Sequence, residues 1–241
     1  MTGLIKAVND IIYSQKKSGK PLAIVLAGHN GSGKSTLWYK RLADQFQIPL
    51  VNADRMMMSI LPEYTAEFPR WAAVIRDNDQ NWMHVAQRGV DGFVAQAMAH
   101  KVPFAMETVF SHWNDLGNGK VESKVDLIRQ MQKNGYFVLL LFVGLTNDQL
   151  SIARVKTRVA SGGHGVATEK LTTRFPRTQK AIKLATGVAD AAILTDNSRT
   201  LKDAFSVCRV QIKEKVVFDC REKEGATPSA ILGWLNIVSP L

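Results

Sequence analysis

Eight consecutive residues, Gly28-His29-Asn30-Gly31-Ser32-Gly33-Lys34-Ser35, have the types and the order needed to hold a triphosphate. They satisfy Gly-x4-Gly-Lys-[Ser/Thr], in which glycines let successive backbone N–H groups turn inward around phosphate oxygens. A helix opening at the end of the loop adds positive potential. In such a loop Lys34 can reach the β- and γ-phosphates, and the Ser35 hydroxyl can hold Mg²⁺. A chance glycine-rich turn would lack the right flanks. Here Leu22-Ala23-Ile24-Val25-Leu26 reads as a buried parallel strand, and Thr36-Leu37-Trp38-Tyr39-Lys40-Arg41-Leu42 as a first helix. The expected ligands are a nucleoside triphosphate, ATP in a kinase, with Mg²⁺.

Further candidates stand where other strands end. Asp54 follows Leu50-Val51-Asn52. A carboxylate there can accept the proton of an acceptor hydroxyl and aim it at the γ-phosphoryl group. It can equally cap the helical segment that it opens. Glu107 and Thr108 follow Pro103-Phe104-Ala105-Met106. Glu107 has two readings, a ligand of acceptor hydroxyls or of Mg²⁺-bound water, and a solvent-facing side chain. Arg154 and Arg158 are four apart and share one face of a helix expected at about 147–160. Arg174 lies on the next helix, at about 168–186, across Ser161-Gly162-Gly163-His164-Gly165. Arginines on a closing helical hairpin can neutralise charge on a transferred phosphoryl group, their planar forks matching phosphate oxygens. His164 is a substrate contact or a turn residue. His84, His100 and His112 have no metal-ligand spacing.

The chain has 241 residues and a formal net charge of +10. Eight Lys or Arg against two acids between Ser151 and Asp190 give those forty residues a net charge of +6. Such a patch suits a polyanionic ligand, although two solvated basic helix faces would look alike. The 46% hydrophobic and 22% charged fractions are those of an ordinary globular protein. No apolar run approaches a membrane span, and the N-terminus lacks a signal-peptide core. Cys208 and Cys220 could lie near each other on a hairpin, but they read rather as two buried reduced thiols in a cytoplasmic protein.

Behind the candidates lies an alternation of strands and helices. An amphipathic helix is expected at about 3–16, helix from about Trp71 to His100 with a break near 77–79, and helix from about Val121 to Lys133. Tyr136–Val143 is a continuous apolar run of the kind a central parallel strand shows, and Ala191–Leu194 is another strand. Phe205–Asp219 reads as a hairpin and Ser229–Leu235 as a last helix. The pattern predicts a single α/β three-layer domain over 1–241 with a mainly parallel sheet, a helical lid at about 145–187 and a C-terminal appendage at about 204–241. In such sheets ligands sit beyond the carboxyl ends of the strands. No strand closes on the Asp-Glu pair that motor-type ATPases need, which points toward phosphoryl transfer to a small molecule.

Over about residues 20–200 the ordered motifs resemble the zeta-toxin family of P-loop kinases, also described as UDP-N-acetylglucosamine kinases. The pieces are Ala27-Gly28-His29-Asn30-Gly31-Ser32-Gly33-Lys34-Ser35-Thr36, Asn52-Ala53-Asp54 and Glu107-Thr108-Val109-Phe110-Ser111. Arg154-Val155-Lys156-Thr157-Arg158, Gly162-Gly163-His164 and Arg174-Phe175 resemble the lid of a shorter bacterial branch, and Ala189-Asp190 with Asp196-Asn197-Ser198 its last core strand. The resemblance implies that residues 28–36 cradle ATP, with Lys34 and Ser35 on ATP–Mg²⁺. It further implies Asp54 as base, Glu107 and Thr108 in the acceptor pocket, and Arg158 and Arg174 as lid arginines. The implied acceptor is the 3′-hydroxyl of the sugar in UDP-N-acetylglucosamine, and the implied partner a separate antitoxin protein. The well-studied toxins carry a different stretch between the lid arginines, so reaction type transfers further than substrate.

Three functions remain open from sequence. The first is a zeta-type kinase acting on a hydroxylated, anionic small molecule. The second is a kinase for another acceptor: a nucleotide such as NAD, an antibiotic or a polynucleotide 5′-end. The third is a nucleotide-binding regulatory protein with little turnover.

Overall fold

The computed structural model describes residues 3–63, 65, 67–78, 80–163, 165–222 and 227–241. The chain opens with helix α1 (Leu4–Ser18) and strand β1 (Leu22–Gly28). After the glycine-rich loop come α2 (Lys34–Leu37), a π-helical turn (Trp38–Leu42) and α3 (Ala43–Phe46), so the first helix widens in its middle. Next are β2 (Leu50–Val51), α4 (Ala53–Ser59), α5 (Arg70–Asn78), α6 (Gln80–His100) and β3 (Phe104–Thr108). A hairpin, β4 (Trp113–Gly117) and β5 (Lys120–Ser123), precedes α7 (Val125–Lys133) and β6 (Phe137–Gly144). Helices α8 (Asp148–Ala160) and α9 (Thr168–Val188) lead to β7 (Ala191–Asp196). The chain ends in β8 (Ser206–Ile212), β9 (Lys215–Asp219) and α10 (Ser229–Val238).

Seven strands form one sheet in the order β2-β3-β1-β6-β7-β8-β9. The first five are parallel, and β8 and β9 are antiparallel. The C-terminal hairpin, expected as an appendage, is thus the sheet's antiparallel extension. Strand side chains alternate between faces, and both faces of β1 and β6 are apolar. Ala23, Val25, Val138, Leu140 and Phe142 pack in one core with α6, α7, α9 and α10. Leu22, Ile24, Leu26, Leu139 and Leu141 pack in the other with α1, Leu37, Trp38 and Leu42. Every residue of β1 and β6 is buried, which is why these strands read as continuous apolar runs. The layers are helix, sheet and helix.

The helix expected from Val121 starts later, because residues 120–123 pair with 113–117. Asn118 and Gly119, at the tip of that hairpin, have φ of 53° and 74°. Positive φ at both central residues is what a two-residue hairpin loop requires, and Asn-Gly meets it at low cost. The start of α7 is set by reciprocal bonds: Val125 N donates to Ser123 Oγ (3.2 Å) and Ser123 N to Asp126 Oδ2 (3.0 Å). No helix among the described residues is long and apolar enough to cross a membrane.

Candidate active site

The carboxyl ends of β1, β2 and β3 converge because the sheet order places β3 between β2 and β1. The β1–β3 register sets Glu107 beside Leu26 and Thr108 beside Ala27, at the root of the glycine-rich loop. Above these ends lies a cleft of about 1270 Å³. Asn30, Gly31, Gly33, Lys34, Ser35, Thr36, Asp54, Glu107, Thr108, Arg154, Arg158 and Arg174 all line it. Gly28, His29 and Ser32 of the same loop are buried and lie outside its lining. His164 falls outside the described residues.

The loop is held from three sides. Its Lys34 Nζ donates to the carbonyls of Gly28 (3.1 Å) and His29 (3.0 Å) and lies 3.8 Å from Glu107 Oε1. Burial lowers the Lys34 pKa; Glu107 and Asp54 push it back up, and Arg158 adds to the lowering. Ser35 Oγ donates to both Glu107 oxygens, at 3.1 and 2.9 Å. Just past β7, Asn197 Nδ2 donates to the Ser32 carbonyl (2.8 Å), and from α8 Ser151 Oγ donates to the Asn30 carbonyl (2.7 Å). Gly33 has φ of 93°, and a Cβ there would stand 2.6 Å from Asn197 Nδ2. Only glycine suits both the conformation and the clamp.

Asp54 opens α4, yet Asn52 is the cap. Asn52 Oδ1 accepts from the N–H groups of Asp54 (2.8 Å) and Arg55 (3.3 Å). The Asp54 carboxylate makes no hydrogen bond or ion pair to a described residue and is left half-buried in the cleft wall. That removes the capping reading and leaves a carboxylate facing the space above Lys34. Glu107, with only 9% of its side chain exposed, is not the solvent-facing residue of its second reading.

Across the cleft stands the hairpin of α8 and α9. Arg154, Arg158 and Arg174 are half-buried in its inner wall, joined by Lys170 and Arg177. The glycine turn lies against Arg158: Gly163 N donates to the Arg158 carbonyl (2.9 Å), and a Cβ at Gly163 would stand 2.6 Å from Arg158 Cγ. Counting Lys34 and Lys124, seven Lys and Arg line the cleft against Asp54 and Glu107. Lys124, His112 and Trp113 come from the flanks of the β4–β5 hairpin, and Met83 and Gln87 from α6. Sequence reasoning missed this wall, although Asn118-Gly119 was its legible signal.

His29 joins the loop to α9. Its ring stacks on Phe175 of α9 with centroids 3.8 Å apart and meets Phe142 edge-on at 5.8 Å. Burial, with Lys34 nearby, pulls its pKa from 6.5 down to about 3. The folded ring therefore stays neutral where the unfolded chain protonates, so stability falls as pH drops through 6.5. About 2 kcal/mol should be lost through this ring between pH 7 and pH 5. In denaturant unfolding at both pH values, His29→Phe should lose less than the natural protein by that amount. Parallel losses would contradict the assignment.

A mainly parallel sheet with the Gly-x4-Gly-Lys-Ser loop at its centre and a basic helical hairpin across the cleft is the architecture of the P-loop kinase fold. The sequence pattern of the zeta toxin family matches residues 6–221, and the chain belongs to that family. An uncharacterized protein of Haemophilus influenzae is 32% identical over 154 residues, covering 64% of this chain and 91% of its own. Among solved structures, that of the PezAT chromosomal toxin–antitoxin system of Streptococcus pneumoniae superposes with a TM-score of 0.53 at 12% identity, over 98% of this chain and 88% of that one. The AvrRxo1-ORF1:AvrRxo1-ORF2 structure with ATP gives 0.59 at 13% identity, over 98% and 72%. At these identities the likeness is one of fold.

Proposed function

We propose that the protein transfers the γ-phosphoryl group of ATP to a hydroxyl of an anionic small molecule, with UDP-N-acetylglucosamine as the first candidate. The observation that carries this reading is the convergence of Lys34, Asp54, Glu107, Arg158 and Arg174 on one cleft. Lys34 binds the β- and γ-phosphates, and turning toward them means leaving the carbonyls of Gly28 and His29. Asp54 takes the acceptor's proton. Arg158 and Arg174 neutralise the phosphoryl group in transit, while Arg154, Glu107 and Thr108 contact the bound substrates. ATP in the AvrRxo1 complex, on the same fold, supports the choice of nucleotide.

The residues present suit Mg²⁺. Ser35 Oγ and the Glu107 carboxylate stand within 3.1 Å of each other and offer hard oxygen donors. Among the described residues no group of three or more His, Cys, Asp or Glu could hold a metal alone. That fits an ion completed by nucleotide oxygens and water. When bound, it supplies charge neutralisation between the β- and γ-phosphates. Ser35 and Glu107 would hold it.

The seven cations exceed what a triphosphate needs, which favours an acceptor bearing phosphate of its own. The lid's charge also suits a polynucleotide 5′-end, and that alternative predicts oligonucleotide binding that weakens steeply with salt. A separate antitoxin protein is part of the proposal, supported by the two-component PezAT and AvrRxo1 systems on the same fold. Mass spectrometry of UDP-N-acetylglucosamine with Mg–ATP and the protein tests the acceptor. A phosphorylated product absent with Lys34→Ala is expected; no product, with ATP still bound, rejects that acceptor.

A further inference from the structure

Away from the cleft, the chain's two cysteines face each other across the sheet's last strand pair. Cys208 lies in β8, and Cys220 follows β9 directly, opening the turn Cys220–Glu222. The register pairs Arg209 with Asp219, so the next cross-strand position sets Cys208 opposite Cys220. Cys208 lies in the core on one face of the sheet with Cys220 packed against that core, and both thiols are free. Directly opposed antiparallel residues hold their Cα atoms roughly 4.5–5.5 Å apart, within the roughly 4.4–6.8 Å that a disulfide spans. Side chains beside them tie the two strands together: Asp219 Oδ2 accepts from Arg209 Nη1 (2.8 Å) and from Arg221 Nη2 (2.6 Å).

We propose that Cys208 and Cys220 form a reversible dithiol–disulfide site whose oxidant is a small-molecule disulfide. The two thiols differ in access, which sets the order of events. Cys208 is 1% exposed, whereas Cys220 is only partly buried. Cys220 loses its proton to solvent and its thiolate attacks one sulfur of the oxidant. A mixed disulfide forms and one small thiolate leaves, taking up a proton. Cys208 then gives up its proton, attacks Cys220 Sγ and expels the second small thiolate, which is protonated in turn. Two protein thiols are oxidised, one small disulfide is reduced to two thiols, and the new bond is Cys208 Sγ–Cys220 Sγ. The contact with Cys208 draws the Cys220 thiol down to about 7, against burial, and so favours it as the attacking group.

The bond would brace the sheet where it is least supported. Strand β9 is an edge, held through β8 alone, and the β8–β9 register shifts between Val210 and Gln211. A cross-link through the hairpin removes freedom from the unfolded chain. The folded full-length protein, incubated with oxidised glutathione, tests this by intact mass, peptide mapping and thermal unfolding. The expected result is loss of two hydrogen atoms, a Cys208–Cys220 linked peptide, and a melting temperature raised by about 5 °C and restored by dithiothreitol. C208S, lacking the resolving thiol, should instead retain one glutathione on Cys220. A protein that stays reduced, that keeps glutathione with both cysteines intact, or that links between molecules overturns the proposal, whatever C208S does.

Discussion

Arg158→Ala is expected to lower kcat for phosphoryl transfer by about 10³-fold or more, the range of an arginine that meets charge on a transferred phosphoryl group. Arg158 enters the cleft wall from α8, close enough to Lys34 to lower its pKa. Arg158→Lys should recover little, because a point charge does not reproduce two parallel bonds to phosphate oxygens. The position depends on the glycine turn as well. A methyl at Gly163 would come within 2.6 Å of Arg158 Cγ and 3.0 Å of its carbonyl oxygen. Gly163→Ala should therefore cost part of the same rate, about 10-fold, with little change in ATP affinity. Steady-state kinetics of the three variants check this. Full activity in Arg158→Ala would remove the arginine from the chemistry.

Asp54→Asn should lower kcat by about 10²- to 10⁴-fold while leaving the KM for ATP near its natural value. The amide keeps the shape and cannot take the acceptor's proton. Because Asn52 caps α4 with bonds of 2.8 and 3.3 Å, the substitution leaves helix and fold intact. Thermal unfolding should show that directly. The contrasting change, Asn52→Ala, should cost about 1 kcal/mol of stability as a lost cap. Were Asp54→Asn to retain full turnover, another group would have to be the base.

Much of this arrangement was legible before the fold was known. Leu22–Leu26 and Tyr136–Val143 announced themselves as apolar runs because β1 and β6 are covered on both faces. The loop, Asp54, Glu107 and the arginine-bearing helices followed from strand ends. What escaped depends on contacts between segments far apart in sequence. The clamp of Asn197 on Ser32 spans 165 residues, and the His29–Phe175 stack joins a loop to a helix with no local pattern to betray it. The joining of β8 to β7 is different: the two are consecutive strands, but nine residues, 197–205, connect them with no tight-turn pattern, so the hairpin was visible and its place in the sheet was not. Two misses had local signals. Asn118-Gly119 marked the β4–β5 hairpin, and Asn52, two residues before Asp54, was the better N-cap.

The most direct measurement of phosphoryl transfer supplies Mg–ATP carrying heavy oxygen in its γ-phosphoryl group to the protein in a small-molecule extract. Mass spectrometry then follows where the label goes, beside Lys34→Ala and Asp54→Asn. Transfer predicts a labelled phosphate ester that appears with the natural protein and is lost or strongly reduced in both variants. Tight ATP binding with label only in ATP and inorganic phosphate would contradict it, and would make the protein a nucleotide-dependent binder rather than a kinase.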